Sequence, residues 1–389
     1  MASRPIYYEE PYRTTLVSRV AEVRSDGVVL EETICYPEGG GQGGDRGTIG
    51  GAPLLDTTKA KDGAILHHVE DAPFGEGDEV EILLDWDRRY HFMRLHTAQH
   101  MASGILHNEF SIPTVSVHLG ERIMMIECGT EEVSRETAYR VEDEVNRRIT
   151  ENRAVDAVLF DRAGAEALGL RRSIKVGGDS IRLVTVEGVD TIACGGLHVA
   201  HTSEIGRFLY MGQERIRGHV RLIFTVGETA VEEIRKRSEA IDELTALFSA
   251  PVEELVETAA HALRTAQSER SQLAHTEARL ASLLLAQLAG SGEEVLLWQV
   301  EETIGVKEIG QATGEHDDLL LCAVKAEEGR FIWLIAAKGR GAERFDFMKN
   351  RAALFEGFEA KGGGRPPLYQ GSGAGVAAEF LTRFRELVN

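Results

Sequence analysis

Two short motifs carry the residue types that could do chemistry. In HTAQH, His96 and His100 are four positions apart, and in CGGLH, Cys194 and His198 have the same spacing. Either pair alone could arise by chance in a chain with four cysteines and thirteen histidines. Thiolate and imidazole are the ligands that zinc prefers, in a tetrahedral site with bonds of about 2.0 to 2.3 Å. Together the two pairs predict one zinc site.

The sequence around each pair indicates how the ligands are presented. RLHTAQHMASGILH has no Pro, and no Gly before Gly104, so it predicts a helix that places positions four apart on one face. CGGLH follows an apolar run and predicts a turn in which Gly195 and Gly196 allow a tight bend. Four protein ligands would close the site, whereas zinc-assisted hydrolysis needs an open position, and the sequence leaves this choice open.

Composition limits the class of protein. A chain of 389 residues is long enough for two or three domains. It has no apolar run of about 18 residues and no apolar core near its start, which predicts a cytoplasmic protein with no membrane segment. The four cysteines are widely scattered, which indicates reduced thiols. The net charge of −20 argues against indiscriminate nucleic-acid binding, so a nucleic-acid partner would need local basic patches.

The chain is predicted to be an α+β multidomain protein with four regions. Residues 1–88 contain short apolar runs broken by Gly and Asp, typical of a small β-barrel-like domain. Residues 89–227 mix helix and strand patterns in an α+β domain that includes both ligand pairs. Residues 228–290 predict a long helical arm, and residues 291–389 alternate strand and helix patterns as in an α/β domain.

The helical arm has one Pro and no Gly between Glu228 and Ala289. Pro251 is expected to divide it into helices near 228–248 and 252–289, with Ser249 as the N-cap of the second. Its apolar seam is thin and rich in alanine. Two arrangements therefore stay open: an arm that folds on itself, or a coiled coil that forms a homodimer, in which the C-terminal domain is a second candidate interface.

Basic residues are concentrated in one C-terminal window. Residues 338–365 contain seven basic and four acidic residues, a net charge of +3. The glycine-rich GGGRPPLYQGSGAG is predicted to be a loop that opens onto a helix near residue 375, where free amides attract anions. The side chains expected to contact phosphate are Lys338, Arg340, Lys349, Arg351, Lys361 and Arg365. Two further groups could equally be a solvated face: Arg88, Arg89 and Arg94 before HTAQH, and Arg207, Arg215, Arg217 and Arg221 after CGGLH.

Three motifs in this order resemble those of a known family: YPEGGGQGGDRG at 36–47, HTAQH, and DTIACGGLHVAHTSEIG at 190–206. They are similar to the editing domain of alanyl-tRNA synthetase and to its free-standing relatives, the AlaX alanyl-tRNA editing proteins. GGGRPPLYQGSG resembles the glycine-rich signature of the synthetase's C-terminal domain. The resemblance covers almost the entire chain, in the domain order of the long AlaX form.

The resemblance implies trans-editing, which is hydrolysis of the ester in tRNA(Ala) mischarged with serine or glycine. By motif, His96, His100, Cys194 and His198 match the family's zinc ligands. The resemblance also implies a catalytic set of Gln42, His96 and His100, and a substrate-binding set of Gly39, Gly40, Gly41, Gln42 and Thr97. Gln42 is expected to contact the aminoacyl end or a water. Asp45 and Glu204 stand in the same motifs, where a capping or core-polar role is at least as well supported.

The chain departs from the family pattern at two positions. Leu197 replaces the usual threonine of CGGTH, which puts in doubt any part of that hydroxyl in orienting the site, and Cys35 replaces the aromatic residue before YP. No DHH motif of the related phosphoesterases is present in the sequence. The alternative to an editing hydrolase is a non-catalytic tRNA-binding module with a structural zinc.

Overall fold

The structure is a computed structural model that describes residues 3–174, 177–301 and 303–389. The chain divides into two compact units, Met1–Asp242 and Glu243–Asn389. Each unit combines helices with sheets, so the predicted α+β multidomain class is confirmed. The domain boundaries at 88, 227 and 290 stay predictions.

A small closed barrel forms the N-terminal part of the first unit, as predicted. In β2, Leu16, Ser18 and Val20 are buried and the residues between them are exposed, which is the period of a strand with one face in the core. The barrel closes in the order β2-β3-β7-β6-β5-β8. The strands of this region are β1 (Arg4–Pro5), β2 (Thr15–Arg24), β3 (Gly27–Leu30), β4 (Glu32–Thr33), β5 (Gly47–Ile49), β6 (Ala52–Lys59), β7 (Ile65–Val69) and β8 (Glu79–Leu84). Strands β1 and β4 pair with each other in a separate two-stranded sheet.

A long central helix, α1 (Trp86–Phe110), contains HTAQH and confirms the predicted helix. It begins where the Asp85 side chain accepts a hydrogen bond from the Arg88 backbone N–H, and it ends at Ser111, which has a left-handed φ of 56°. Between Phe92 and Leu106 every residue except Arg94 is buried. A helix buried on all sides lies in the core, so the ligand pair on α1 is held rigidly.

The remaining elements of the first unit form two sheets and two helices, and α2 and both sheets contact α1. One antiparallel sheet has the order β14-β15-β10-β9 and another has the order β11-β12-β13, whose last strand leads into CGGLH. These elements are β9 (Thr114–Leu119), β10 (Met124–Cys128), α2 (Arg135–Thr150), β11 (Val155–Asp161), α3 (Arg162–Ala167), β12 (Ser180–Val186), β13 (Asp190–Ala193), β14 (Phe208–Ile216) and β15 (His219–Val226).

Two helices follow, α4 (Gly227–Phe248) and α5 (Val252–Ala289), at the predicted positions. The N-cap of α5 is Pro251, with no side-chain hydrogen bond, so the predicted Ser249 cap is wrong. Ser249 instead has a left-handed φ of 50° and its N–H donates to the Ala246 carbonyl. It therefore terminates α4 and cannot also cap α5. The coiled-coil and homodimer arrangements stay predictions.

The C-terminal unit contains a mixed sheet in the order β16-β17-β18-β20-β19. Strands β16 and β17 are parallel, and the other pairs are antiparallel. The three predicted strands are confirmed. The elements are β16 (Leu296–Val300), α6 (Val306–Ala312), β17 (Leu319–Glu327), β18 (Arg330–Lys338), α7 (Arg340–Arg344), α8 (Phe347–Phe355), β19 (Lys361–Arg365), β20 (Leu368–Ala374) and α9 (Ala377–Val388).

The glycine-rich segment is not the predicted anion-binding loop, because it forms the hairpin β19-β20. Its glycines admit aromatic rings that cross the strands. A Cβ at Gly362 or Gly371 would lie 2.7 or 2.6 Å from the Trp333 ring, and one at Gly373 would lie 2.4 Å from the Phe331 ring. The glycines therefore serve packing, and the helix predicted near residue 375 begins after them at Ala377.

Within the described ranges, no helix has the length and apolar character that crossing a bilayer requires.

Candidate metal centre

The structure brings the two predicted ligand pairs together. One ligand atom from each of His96, His100, Cys194 and His198 lies within 4.8 Å of all the others. The Cys194 Sγ is 3.4 Å from His96 Nε2 and 3.5 Å from His198 Nε2. Bonds of 2.0 to 2.3 Å in a tetrahedron give ligand separations of about 3.5 Å. The donor set and its spacing therefore fit a zinc ion.

Two buried side chains orient the imidazoles. Gln42 Oε1 lies 2.9 Å from His96 Nδ1, and because a carbonyl oxygen can only accept, that nitrogen carries the proton. Thr97 Oγ1 donates to the Met93 carbonyl and lies 3.1 Å from His198 Nδ1, which leaves it the acceptor there. In both histidines Nε2 is then free to bind a metal. The sequence did not predict that Thr97 orients a ligand.

Burial fixes the protonation state of the histidines. It lowers the pKa of His96 to about 3, with the positive charge of Arg182 as the lesser cause. Burial, followed by the neighbouring imidazoles, holds the pKa values of His100 and His198 well below their ordinary value. All three rings are therefore neutral near pH 7, the form that binds metal. The Nδ1 of His100 is buried and has no partner among the described residues.

The Cys194 thiol has the opposite tendency. Burial raises its pKa, while the Gly196 N–H, which donates to Sγ at 3.3 Å, and the charge of Arg182 oppose the rise. A bound cation favours the thiolate strongly. Without a cation, burial disfavours the Cys194 thiolate. With a bound cation the thiolate is favoured, so this set of side chains is suited to binding one.

Two side chains hold the turn that carries Cys194 by donating hydrogen bonds to its backbone carbonyls. Arg182 Nη1 donates to the carbonyls of Cys194 at 2.8 Å and Gly196 at 2.9 Å. Tyr8 donates through its hydroxyl to the Gly195 carbonyl at 2.9 Å. Three consecutive carbonyls therefore have side-chain donors. Sequence reasoning missed Arg182 and Tyr8; the one signal was a basic residue inside the apolar run IRLVTV.

The two glycines of the turn differ in what they allow. A Cβ at Gly196 would lie 2.0 Å from His96 Cε1 and 3.0 Å from Gln42 Oε1, whereas one at Gly195 would meet only the Tyr8 hydroxyl at 3.6 Å. Neither has a left-handed φ. That both glycines serve a tight bend stays a prediction, and Gly196 in addition allows the turn to approach His96 closely.

The predicted substrate loop forms a tight turn beside the cluster. Gly39 and Gln42 exchange two backbone hydrogen bonds of 3.0 Å, and Gly40 and Gly41 between them have left-handed φ angles of 62° and 87°. The Gln42 side chain reaches the ligand turn, where Oε1 also accepts from the Leu197 N–H at 3.1 Å. Its Nε2 is buried without a partner among the described residues.

Other motif residues have structural partners. Asp45 is buried and pairs with the fully buried Arg89, whose Nε lies 3.0 Å from both carboxylate oxygens. Glu204 accepts from the hydroxyls of Tyr12 and Tyr90, and His201 is exposed. Leu197 is fully buried in the core of the first unit, so its side chain contributes packing.

Most basic residues near the two motifs are also engaged. Arg88, Arg94, Arg207 and Arg221 each pair with a glutamate, and Arg89 pairs with Asp45. Among the phosphate candidates, Lys338 donates to the Thr313 carbonyl, Arg340 pairs with Asp318 and Lys349 pairs with Asp346. Arg351, Lys361 and Arg365 have no acidic partner in the described part of the chain.

Two family profiles match parts of the chain. Residues 181–224 match the threonyl and alanyl tRNA synthetase second additional domain, which includes Arg182, Cys194 and His198. Residues 8–88 match the class II (A) tRNA synthetases.

Curated relatives extend the match over most of the chain. Alanyl-tRNA editing protein Aarsd1 of Mus musculus is 29% identical over 388 residues, which is 94% of this chain and 92% of the mouse protein. Alanyl-tRNA editing protein AlaX-L of Pyrococcus horikoshii is 33% identical over 242 residues, 59% of this chain and 60% of its own. The chain is an AlaX-like homologue of the alanyl-tRNA editing proteins.

The same chain is similar to part of a larger enzyme. Alanine–tRNA ligase of Pyrococcus furiosus is 32% identical over 355 residues, which is 87% of this chain but 37% of the ligase. The similarity therefore covers most of this AlaX-like chain and a minor part of the ligase.

Proposed function

We propose that the chain is an aminoacyl-tRNA deacylase that hydrolyses, in trans, the ester of tRNA(Ala) mischarged with serine, and also with glycine, at a zinc site. The single observation that carries the proposal is the cluster of His96, His100, Cys194 and His198 in a homologue of alanyl-tRNA editing proteins.

The chain's own residues have defined tasks in this proposal. A zinc ion held by the four side chains would polarise the ester carbonyl or lower the pKa of a bound water toward about 7. Gln42 holds His96 through Oε1 and leaves Nε2 as a donor for the aminoacyl end or a water. The Thr97 hydroxyl is saturated, since Met93, His198 and Val199 use its donor and both acceptor sites. We therefore propose that Thr97 does not hydrogen-bond the substrate itself. It acts on the substrate site by orienting His198.

Discrimination against alanine follows from hydrogen bonding. A site that requires the serine hydroxyl leaves buried polar groups unpaired when alanine binds, which is worth about 10⁴-fold in favourable cases. The unpartnered Gln42 Nε2 is a candidate for that donor. Glycine lacks the hydroxyl, so only size could distinguish it from alanine.

A second contact with tRNA is part of the proposal. Arg351, Lys361 and Arg365 are basic side chains without acidic partners in the described C-terminal unit, and unpaired cations are available to phosphate. Lys338, Arg340 and Lys349 have intramolecular partners to give up, which makes them weaker candidates.

One observation favours the alternative, a non-catalytic tRNA-binding module with a structural zinc. Four protein ligands within 4.8 Å can close a tetrahedron, as in structural zinc sites. An editing enzyme would need one ligand to yield or a fifth position to open.

The test is deacylation of Ser-tRNA(Ala) by the purified full chain, with Ala-tRNA(Ala) as the matched substrate. The editing proposal predicts rapid loss of serine and slow loss of alanine. Binding of both tRNAs with neither ester hydrolysed above the uncatalysed rate would select the structural-zinc alternative.

A further inference from the structure

An aromatic side chain that the catalytic proposal does not use borders the metal centre. Tyr8 bonds through its hydroxyl to the carbonyl of Gly195, the residue next to Cys194 in the chain, and successive Cα atoms are only about 3.8 Å apart. The residue as a whole is nevertheless 40% exposed. A large aromatic group with an open surface therefore lies beside a metal-ligand residue.

The Tyr8 ring is held in a fixed position. Its neighbour Tyr7 contacts it edge-on with ring centroids 4.6 Å apart, and Tyr7 packs in turn against Tyr36 at 5.5 Å. The Arg182 guanidinium carbon lies 4.9 Å from the Tyr8 ring centroid while its Nη1 bonds the ligand turn. The ring is thus ordered before any ligand binds, which lowers the entropy cost of stacking a ligand on it.

Arg182 retains binding capacity as well. Its side-chain hydrogen bonds to the Cys194 and Gly196 carbonyls both come from Nη1. The other nitrogens of the guanidinium make no hydrogen bond to the described residues. The side chain has no acidic partner in the described residues and is only partly buried. A guanidinium beside an aromatic ring favours the binding of a flat aromatic ligand group on that surface.

The proposed substrate supplies such a group at this distance. In an aminoacyl-tRNA the ester joins the terminal ribose, whose adenine is single-stranded and unpaired, so the base must lie within one nucleoside of the metal centre. Single-stranded bases are commonly bound by aromatic stacking, which needs no net positive charge. Stacking therefore suits a chain of net charge −20.

We propose that Tyr8, backed by Arg182, is the stacking platform for the terminal adenine of the substrate RNA. The inference rests on the proposed function, because it assumes that the acylated end of an RNA reaches the metal centre. Tyr8 is a binding residue in this account and takes no part in bond cleavage.

The experiment uses an RNA stem that carries no amino acid. Its single-stranded 3′ end has 2-aminopurine in place of the terminal adenine. Stacking quenches the fluorescence of this base, so the readout requires no hydrolysis. The zinc-loaded full chain is compared with Tyr8→Phe, Tyr8→Leu and the control Tyr139→Leu. Tyr139 is a 50% exposed residue of the same unit whose ring contacts Tyr210. Zinc content is measured for each protein.

We expect quenching by the wild type, by Tyr8→Phe and by Tyr139→Leu. Tyr8→Leu should lose the quenching and bind the RNA about tenfold more weakly, because a base stack contributes about 1 to 3 kcal/mol. Both Tyr8 variants lack the hydroxyl bond to Gly195, so the difference between them reports the ring alone.

The wild type decides the matter even if Tyr8→Leu fails to fold, since a wild type that does not quench the terminal base overturns the proposal. Equal loss in Tyr8→Phe and Tyr8→Leu would also overturn it by assigning the role to the hydroxyl. Quenching that depends on the Tyr8 ring in a protein that hydrolyses no ester would leave the platform standing and reject the deacylase proposal.

Discussion

At the scale of single residues, the metal centre depends on the absence of one side chain. Gly196 lies so close to His96 that a Cβ would be 2.0 Å from the ring, while Gly195 has room for one. Such overlap with a buried ring has to be relieved by moving either the turn or the ligand.

We predict that Gly196→Ala lowers zinc affinity about 10- to 100-fold, the range seen when groups around a metal ligand are disturbed. Gly195→Ala is the matched control and should keep its zinc. Competition with a chromophoric chelator measures both affinities. Equal zinc binding by the two variants would show that His96 is not held where the structure has it.

The buried His67 of the barrel gives a pH prediction away from the metal ligands. Burial lowers its pKa from 6.5 to about 4, while its ring bonds Thr33 Oγ1 and the Val28 carbonyl. Between these two values the unfolded chain binds a proton that the folded chain does not, so stability rises with pH and is lost as pH falls. The loss from this group approaches about 3 kcal/mol by pH 4.

His67→Gln should therefore show a weaker loss of stability on acidification than the wild type. His68→Gln, at the adjacent and partly exposed position, should retain the wild-type slope. Urea midpoints measured between about pH 7 and pH 5 test this. Parallel slopes for the wild type and His67→Gln would contradict it.

The four candidate ligands could be picked out from the sequence because spacing and residue type carry that information, and the structure brings their side chains together. The residues that orient them could not. Thr97, Tyr8 and Arg182 act through hydrogen bonds to imidazole nitrogens and backbone carbonyls that are distant in the chain. Such contacts have no local pattern, and only the fold brings the partners together.

At the scale of elements, one buried ion pair joins the loop between β4 and β5 to α1. Arg89 on α1 bonds Asp45 and also donates to the Ile34 carbonyl at 2.6 Å, and Asp45 accepts from the Tyr36 N–H. The pair thereby sets the loop that carries Gln42 against the helix that carries His96.

We predict that Arg89→Ala or Asp45→Ala destabilises the fold by about 3 to 5 kcal/mol, because either leaves an uncompensated buried charge. The control is Glu232→Ala, which breaks the exposed pair with Arg122 and should cost less than about 1 kcal/mol. Chemical unfolding measures these values. A cost for the buried pair as small as for the exposed pair would contradict the structure.

The regular elements were predictable where the sequence has a long segment without Gly or Pro, as in the first part of α1, or an apolar run, as in β16 to β18. The hairpin β19-β20 was not, because its glycines resemble a phosphate loop in sequence. What decides between the two is the position of the Trp333 and Phe331 rings, and that is a tertiary contact.

At the scale of the whole molecule, a net charge of −20 requires that phosphate contacts be few and local. If Arg351, Lys361 and Arg365 contact tRNA, reversing all three to Glu should raise KM for Ser-tRNA(Ala) and change kcat little, since binding energy is lost equally in ground and transition states. The slope of log affinity against log salt should flatten by about 2 to 3.

Lys307→Glu, an exposed reversal on α6 outside the basic window, controls for the effect of a charge reversal at an unrelated position. Its effect on the salt dependence should be small. Unchanged KM in the triple variant would assign the C-terminal unit to another task, such as the homodimer contact predicted from the sequence.

The four-region domain order stays a prediction from the composition of each region. The oligomeric state could not be predicted, because a thin alanine-rich seam serves an intramolecular or an intermolecular contact equally well.

The most direct test of the account is a zinc titration of the metal-free full chain, followed by its rate of Ser-tRNA(Ala) deacylation. The account predicts a rate that rises in proportion to added zinc and levels off at about one zinc per chain. The His100→Ala chain should gain little or no activity at the same zinc concentrations. A metal-free chain that deacylates Ser-tRNA(Ala) as fast as the zinc-loaded chain would contradict the central claim.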